Sequence, residues 1–424
     1  MWRLLYTLAI RAALPFILAR LWWRGRREPL YRRRIGERFG YYRDAPSGKP
    51  LLWVHAVSVG EVRASAALVR ALAAAHSRHE LLLTCMTAAG RDALKDLHGA
   101  SVSIAWLPYD YPGAVRRFLE HYRPCLAVLM ETEIWPNLIV ACSEFGVPVL
   151  LANARMSGKS AQGYRRWSGL TQPAIAALAV VCAQSNEDAA RLRALGARRV
   201  EITGNVKFDA TPDEAKRGEG KAWRAQLARP VLLLASTREG EEKALLDAMP
   251  AWDERLLVLI VPRHPRRFDE IAVLSVKDGF PVARRSTGQS PGPRDRVYLG
   301  DTMGEMDFYY AAADVAVIGG SFAPLGGQNL IEACAAGVPV VLGPSMFNFA
   351  EAARLALESG AAVQAADAAD AIGAALNLLA NQEERKKMGL AGMALCDAHR
   401  GATQKHLLLC EELLGTAATA REPD

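Results

Sequence analysis

The sequence predicts an α/β protein built from two doubly wound, Rossmann-like domains, preceded by a membrane-associated apolar helix. Three observations predict it. From residue 50 onward short apolar runs alternate with helical stretches; a polar segment at 211–223 breaks that rhythm before it restarts; and residues 4–23 form a separate apolar run with a basic end. Short buried strands alternating with helices mark parallel βαβ units. At about 150 residues per domain, a chain of 424 residues has room for two or three.

The first element is LLYTLAIRAALPFILARLWW, residues 4–23. As a helix it would reach about 30 Å, the thickness of a bilayer's hydrocarbon core. It ends in Trp22 and Trp23, followed by Arg24, Arg26 and Arg27, with no small-residue cleavage site, so a cleaved signal peptide is not expected. Two Trp and a run of Arg match the aromatic belt and positive flank of a cytoplasmic membrane face. A single span, an interfacial helix and a buried soluble helix all remain open. Arg11 and Arg20 lie half a turn out of phase and so define no single polar face. Arg32, Arg33, Arg34, Arg38 and Arg43 extend the basic stretch, either toward anionic headgroups or as a solvated face.

The strands of the first domain are expected at LLWVHAV (51–57), LLLTCMT (81–87), LAVLM (126–130), VPVLLA (147–152) and AVVCAQ (179–184). Those of the second are expected at VLLLA (231–235), LLVLIV (256–261), RVYL (296–299), DVAVIGG (314–320) and VPVVLG (338–343). The division is therefore 1–24 for the helix, 25–209 for the first domain and 210–424 for the second. Residues 1–44 carry eleven Arg against Glu28, Glu37 and Asp44, a charge of +8, while residues 45–424 sum to −1. A near-neutral body argues against nucleic acid as a partner and leaves a membrane surface as the first to test. Seven Cys without C-x-x-C or metal-ligand spacing read as core residues in a reducing compartment.

Open α/β sheets bind ligands beyond the carboxyl ends of their strands, so the residues that follow each run are the candidates. After the first run, Ser58, Gly60 and Glu61 lead into a helix. Glu61 is placed for a general base, although Ser58-x-x-Glu61 is also a capping box. After LAVLM come Glu131, Thr132 and Glu133, two acids that are costly to bury unless paired or functional; which of them faces a substrate is open. Gly204, Asn205 and Lys207 stand at the domain junction, Lys207 as a partner for phosphate or as a solvated linker residue.

In the second domain, Pro262, Arg263, His264, Arg266 and Arg267 form a cationic strand end, and Gly300–Glu305 a loop that enters a helix. The densest signal is SFAPLGGQNLIEA, where Gly326 and Gly327 precede Asn329 and Glu332. There the helix start suits a phosphate and Glu332 a ribose diol, while Asn329-x-x-Glu332 is again a capping-box spacing. Neither G-x-x-x-x-G-K-[ST] nor a G-x-G-x-x-G after the first strand is present, against ATPase and dehydrogenase readings. His264 lacks a second His or Cys at ligand spacing, so no metal site is expected.

Taken together, HAVSVGE (55–61), ETEIWPN (131–137), ANARMS (152–157), GNVKFD (204–209), VPRHPRRF (261–268), GDTMGEM (300–306) and GGSFAPLGGQNLIEA (319–333) resemble the 3-deoxy-D-manno-octulosonic acid (Kdo) transferases of Gram-negative lipopolysaccharide synthesis. The match runs in order from RLWWRGRREPLYRRRIGERFG to MFNFAE (346–351). The resemblance implies a GT-B fold, with two Rossmann-like domains facing a central cleft, and a membrane-associated N terminus at the cytoplasmic face of the inner membrane. It implies transfer of one or more Kdo units from CMP-Kdo to lipid IVA, with inversion, no cofactor and no metal. By motif position it makes Glu61 the general base, and Glu131 and Lys207 transition-state stabilisers. Pro262, Arg263, Met303, Gly304, Glu305, Asn329, Leu330, Ile331 and Glu332 would then contact CMP. The family usually reads G-G-H-N-P-L-E where this chain has Gly326-Gly327-Gln328-Asn329-Leu330-Ile331-Glu332, so donor affinity is expected to differ. The competing expectations are a GT-B transferase using a UDP-sugar on a membrane lipid, and a silent membrane-tethered nucleotide-binding protein.

Overall fold

The computed structural model describes residues 1–44, 48–249 and 255–419. The ten apolar runs all form strands, and β3, β7, β10 and β14 add four that those runs did not include, giving fourteen described strands: β1 (Leu51–His55), β2 (Glu80–Cys85), β3 (Ser103–Trp106), β4 (Leu126–Met130), β5 (Val149–Ala154), β6 (Val180–Ala183), β7 (Val200–Ile202), β8 (Val231–Thr237), β9 (Leu257–Pro262), β10 (Val282–Arg284), β11 (Val297–Leu299), β12 (Val315–Ile318), β13 (Val340–Leu342) and β14 (Ala362–Gln364). Every residue of β1, β4 and β9 is buried, as expected of parallel strands covered on both faces. The period of two is visible in β1. Leu51 and Trp53 enter one core with Leu129 and Leu151, while Leu52 and Val54 enter the other with Val62, Leu68 and Leu72 of helix α2 (Val59–Ala75).

Two compact units result. One comprises Met1–Ala210 together with the segment from Arg400 onward, and the other comprises Thr211–His399. Each holds a seven-stranded sheet, in the orders β3-β2-β1-β4-β5-β6-β7 and β10-β11-β9-β8-β12-β13-β14, with all pairings parallel. The order reverses between β1 and β4 in the first sheet and between β8 and β12 in the second. These are the topological switch points, where such sheets bind ligands.

The C-terminal helix Ala402–Thr419 departs from the expected division. Residues 210–424 were expected to form one domain, but this helix belongs to the first unit. Leu407, Cys410 and Leu413 join the core of Leu52, Val54 and Leu150. Both oxygens of Asp209 accept amides at its start, from Gly401 and Thr403. Buried His406 accepts the Asn153 amide at 2.9 Å. An apolar helix stripe shows that a helix packs, without showing on which sheet.

Helix α1 (Trp2–Arg24) is part of the first unit too. It is long and apolar enough to cross a membrane, and 11% of its most apolar window is buried in the protein. Tyr6 Oη donates to Asp110 at 2.9 Å, and Asn137 Nδ2 donates to Thr7 Oγ1 at 3.2 Å. At the other end Arg24 donates to Tyr31 Oη at 2.7 Å, and Tyr31 stacks on Trp106 at the end of β3.

Candidate functional site

In the first unit, the switch point between β1 and β4 gathers three carboxylates and an ammonium. Glu61 sits in the first turn of α2, where the chain leaves β1. Its Oε2 accepts the Val57 amide at 2.8 Å and its Oε1 the Ser58 hydroxyl at 2.9 Å. A complete capping box would have Ser58 accept a helix amide, but its side chain makes no such bond and serves the carboxylate instead. Burial raises the Glu61 pKa. The Val57 bond opposes it, Glu131 adds to it, and Ser58 and Lys207 pull it back.

Glu131 follows the last residue of β4 with a φ of +58°, the left-handed region that a long side chain seldom occupies. Such conformations cost on the order of 1–3 kcal/mol and gather at functional sites. The Glu131 amide still continues the ladder to Ala152 O at 2.8 Å. Its carboxylate pairs with Lys207 Nζ at 2.9 Å, each side chain about one-fifth exposed. Lys207 is held by its neighbours: its amide donates to Asn205 Oδ1 at 3.0 Å, the Val206 amide donates to Asn153 Oδ1 at 3.1 Å, and Val206 and Phe208 are buried. GNVKFD therefore presents one ammonium from an anchored turn.

The choice between Glu131 and Glu133 resolves into two roles. Glu131 takes Lys207, while Glu133 accepts Trp135 Nε1 at 2.8 Å. Burial first, then the charge of Glu61, pushes the Glu133 pKa up to about 7. Glu133 thus joins the site as a carboxyl of raised pKa, without a role of its own in the family resemblance. Its signal was the second acid immediately beyond a buried strand.

In the second unit, β8, β9 and β12 bring their ends together. Ser236 has a φ of +56° where the β8–β9 register shifts, and the Arg263 amide donates to Thr237 O at 2.9 Å. A Cβ on Gly319 would stand 2.5 Å from Thr237 Cα, so only glycine permits this approach. Buried Glu241, in the stretch STREGEE (236–242) that leads from β8 into a helix, holds the glycine-rich turn: it accepts the Gly320 amide at 2.6 Å and the Phe322 amide at 3.0 Å.

The cationic strand end is smaller than expected. Pro262 closes β9, and Arg263 and His264 occupy the turn, with His264 lowered in pKa by burial and by Arg238 and Arg263. Arg267 turns inward to a buried pair with Glu242 at 2.6 Å, and Arg266 pairs with Glu239 at 2.9 Å. In the loop 300–305, Arg285 donates to both oxygens of Glu305 at 2.9 and 3.2 Å and holds that carboxyl below its usual range. Glu305 therefore braces the loop, while Met303 is exposed and Gly304 turns the chain at a φ of +78°.

Asn329 Oδ1 accepts the Ile331 amide at 3.1 Å, and its Nδ2 donates to Glu332 at 2.9 Å, at the start of the short helix Ile331–Ala335. Leu330 and Ile331 were expected among the nucleotide contacts, but they are 1% and 3% exposed. Their side chains fill the core, which leaves only main-chain groups for a ligand. A cavity of about 460 Å³ in the first unit lies elsewhere. It is lined by Leu51, Glu80 and Ser103, the first residues of β1, β2 and β3, at the sheet end opposite Glu61.

Residues 33–210 match the family model described as 3-deoxy-D-manno-octulosonic-acid transferase (kdotransferase), and residues 292–393 match glycosyl transferases group 1. The chain is 48% identical over 433 residues to a 3-deoxy-D-manno-octulosonic acid transferase of Bordetella pertussis, covering 98% of this chain and all of that one. It is 36% identical over 425 residues to the transferase of that name from Haemophilus influenzae, covering 98% and 99%. Among solved structures it resembles a glycosyltransferase from Rickettsia africae, with a TM-score of 0.61 at 12% identity over 87% of this chain and 99% of that one. It also resembles the Anabaena protein HepE in complex with UDP, with a TM-score of 0.61 at 14% identity over 86% and 99%. At such identities the structures speak for the fold alone, the GT-B type built from two Rossmann-like units.

Proposed function

Since the chain belongs to the 3-deoxy-D-manno-octulosonic acid (Kdo) transferase family, and is therefore a glycosyltransferase, we propose that it transfers Kdo from CMP-Kdo to lipid IVA. One or more units are added, with inversion at the anomeric carbon and without a metal ion. The observation that carries this reading is Glu61, held at the switch point by Val57 and Ser58 and raised in pKa beside the Glu131–Lys207 pair.

In the proposed step, an acceptor hydroxyl gives its proton to Glu61 while its oxygen bonds to the anomeric carbon of Kdo. The bond from that carbon to the phosphate oxygen breaks, and CMP leaves with the electron pair. A base matched to this task needs a pKa moved toward neutrality, which burial supplies for Glu61. Lys207, fixed by Glu131, supplies a stationary positive charge for the negative charge that develops on the departing phosphate. In the second unit, Arg263, the Met303–Glu305 loop and the main chain at Asn329–Glu332 are the groups proposed to hold CMP. The acceptor is a membrane glycolipid, and the apolar, arginine-rich N-terminal segment supports placement at the cytoplasmic face of the inner membrane.

The test is radiolabelled transfer from CMP-Kdo, generated in the assay, to lipid IVA, with CMP and UDP as competitors and Glu61→Gln alongside. The expected result is transfer by the wild type, competition by CMP alone, and a loss of roughly 100-fold or more in the variant. Near-normal turnover by folded Glu61→Gln would remove its assignment as base; competition by UDP alone would change the donor.

A further inference from the structure

Resting on the membrane association proposed above, we infer that α1 lies in the plane of the bilayer surface, clasped between the first unit and an anionic lipid face, and does not cross the membrane.

The helix is about 34 Å long and is tied to the same folded unit at both ends. Near its start, Tyr6 reaches Asp110 at 2.9 Å and Thr7, only 6% exposed, receives Asn137 at 3.2 Å. Trp2 packs edge-on against Trp167, with ring centroids 6.0 Å apart. Asp110 accepts the amides of Asn137 and Leu138 as well, so the pin enters the start of helix Pro136–Glu144. At its end, Arg24 bonds Tyr31, and Arg32 bonds Trp22 O while lying over the Trp22 ring at 4.1 Å. A span would carry Tyr6 and Thr7 to the far side of the bilayer and strand Asp110 and Asn137 behind them.

The faces of the helix agree. Thr7, Ile10, Leu14, Ile17 and Leu21 recur every three or four residues and are buried or half-buried, so this stripe faces the unit. Leu4, Leu5, Leu8, Phe16, Trp22 and Trp23 are exposed, and at about 100° per residue they gather on the opposite side. Arg11 and Arg20, both exposed, then fall on the two flanks between these faces. An apolar face bordered on each side by an arginine suits a helix lying at the headgroup boundary. The +8 charge of residues 1–44, with Arg26, Arg27 and Arg33 exposed beyond the helix, complements an anionic surface.

The experiment uses the full chain expressed in a Gram-negative host, with Arg3→Cys as a reporter near the start of α1. Arg3 is exposed, pairs at the surface with Glu144 and adds a favourable charge to Asp110, and the unsubstituted chain, with Cys125 its one cysteine that is not buried, gives the background. Inside-out inner-membrane vesicles and intact spheroplasts are each treated with a membrane-impermeant maleimide. The in-plane arrangement is expected to label in inside-out vesicles without detergent and to stay unlabelled in spheroplasts. The reverse pattern, with the chain still sedimenting with membranes, overturns the inference and leaves membrane association standing. A full chain that does not sediment with membranes overturns both. In a second arm, purified protein is floated with phosphatidylglycerol-containing vesicles. Arg11→Gln with Arg20→Gln is expected to lower partitioning by roughly fivefold per arginine, and an unchanged or increased partition overturns the flanking role.

Discussion

Burial raises the pKa of both Glu61 and Glu133, and the charge of Glu61 adds to the shift of Glu133. After burial itself, the charge of Glu61 does most to hold Glu133 near 7, so Glu61→Gln is expected to lower the Glu133 pKa, as followed by carboxyl NMR titration. An unmoved value would show that the two carboxylates do not sense one another. The same shift has a stability consequence. The folded pKa of Glu133, about 7, stands above its ordinary 4.5, so the contribution of its protonated form is complete below 4.5 and lost as pH rises through 7. Glu133→Gln keeps a neutral group at all pH values. Its melting temperature is therefore expected to gain on the wild type between pH 5 and pH 8; a gap independent of pH would contradict the assignment. Glu61 and Glu131 were legible because each follows a strand run, and Lys207 because it stands in GNVKFD at the domain junction. The left-handed turn at Glu131 and the amides received by Glu241 were not, since both depend on how separate loops meet in space.

At the scale of elements, the apolar runs became the buried strands, because a strand covered on both faces has nothing else to be made of. Helix termini were less legible. Asn329 satisfies the amide of Ile331 as expected, yet the next two side chains turn into the core, and Arg267, written among cations in the sequence, is committed to Glu242. The helix Ala402–Thr419 fell within the segment expected to form the second domain, yet it packs on the first sheet. Each Leu it buries there contributes about 1.5–3 kcal/mol at most. Ending the chain at His399 is therefore expected to speed amide exchange in β1 and β4, which share its core, while β8 and β12 keep their protection. Equal loss in both sheets would place the helix differently.

For the molecule as a whole, the charge partition read from the sequence turns out to follow a physical boundary. The +8 segment holds α1 and the turns that moor it, while the body it is moored to is close to neutral. Arg11 and Arg20 spoiled any amphipathic pattern in the sequence because such a pattern assumes two surroundings, lipid and water. α1 has a third, the protein it lies against, and the arginines mark the seams. The first unit is also drawn from chain that precedes and follows the second, from Met1–Ala210 and from Arg400 onward. On a ribosome this imposes an order. The face of the first sheet covered by Leu407 and Leu413 must wait for roughly 190 residues of the second unit to emerge, on the order of 10–40 s at about 5–20 residues per second. During that interval the nascent chain carries an uncovered apolar face alongside the exposed face of α1. Early engagement of α1 with the membrane would leave only one of the two open to a chaperone or to a wrong partner.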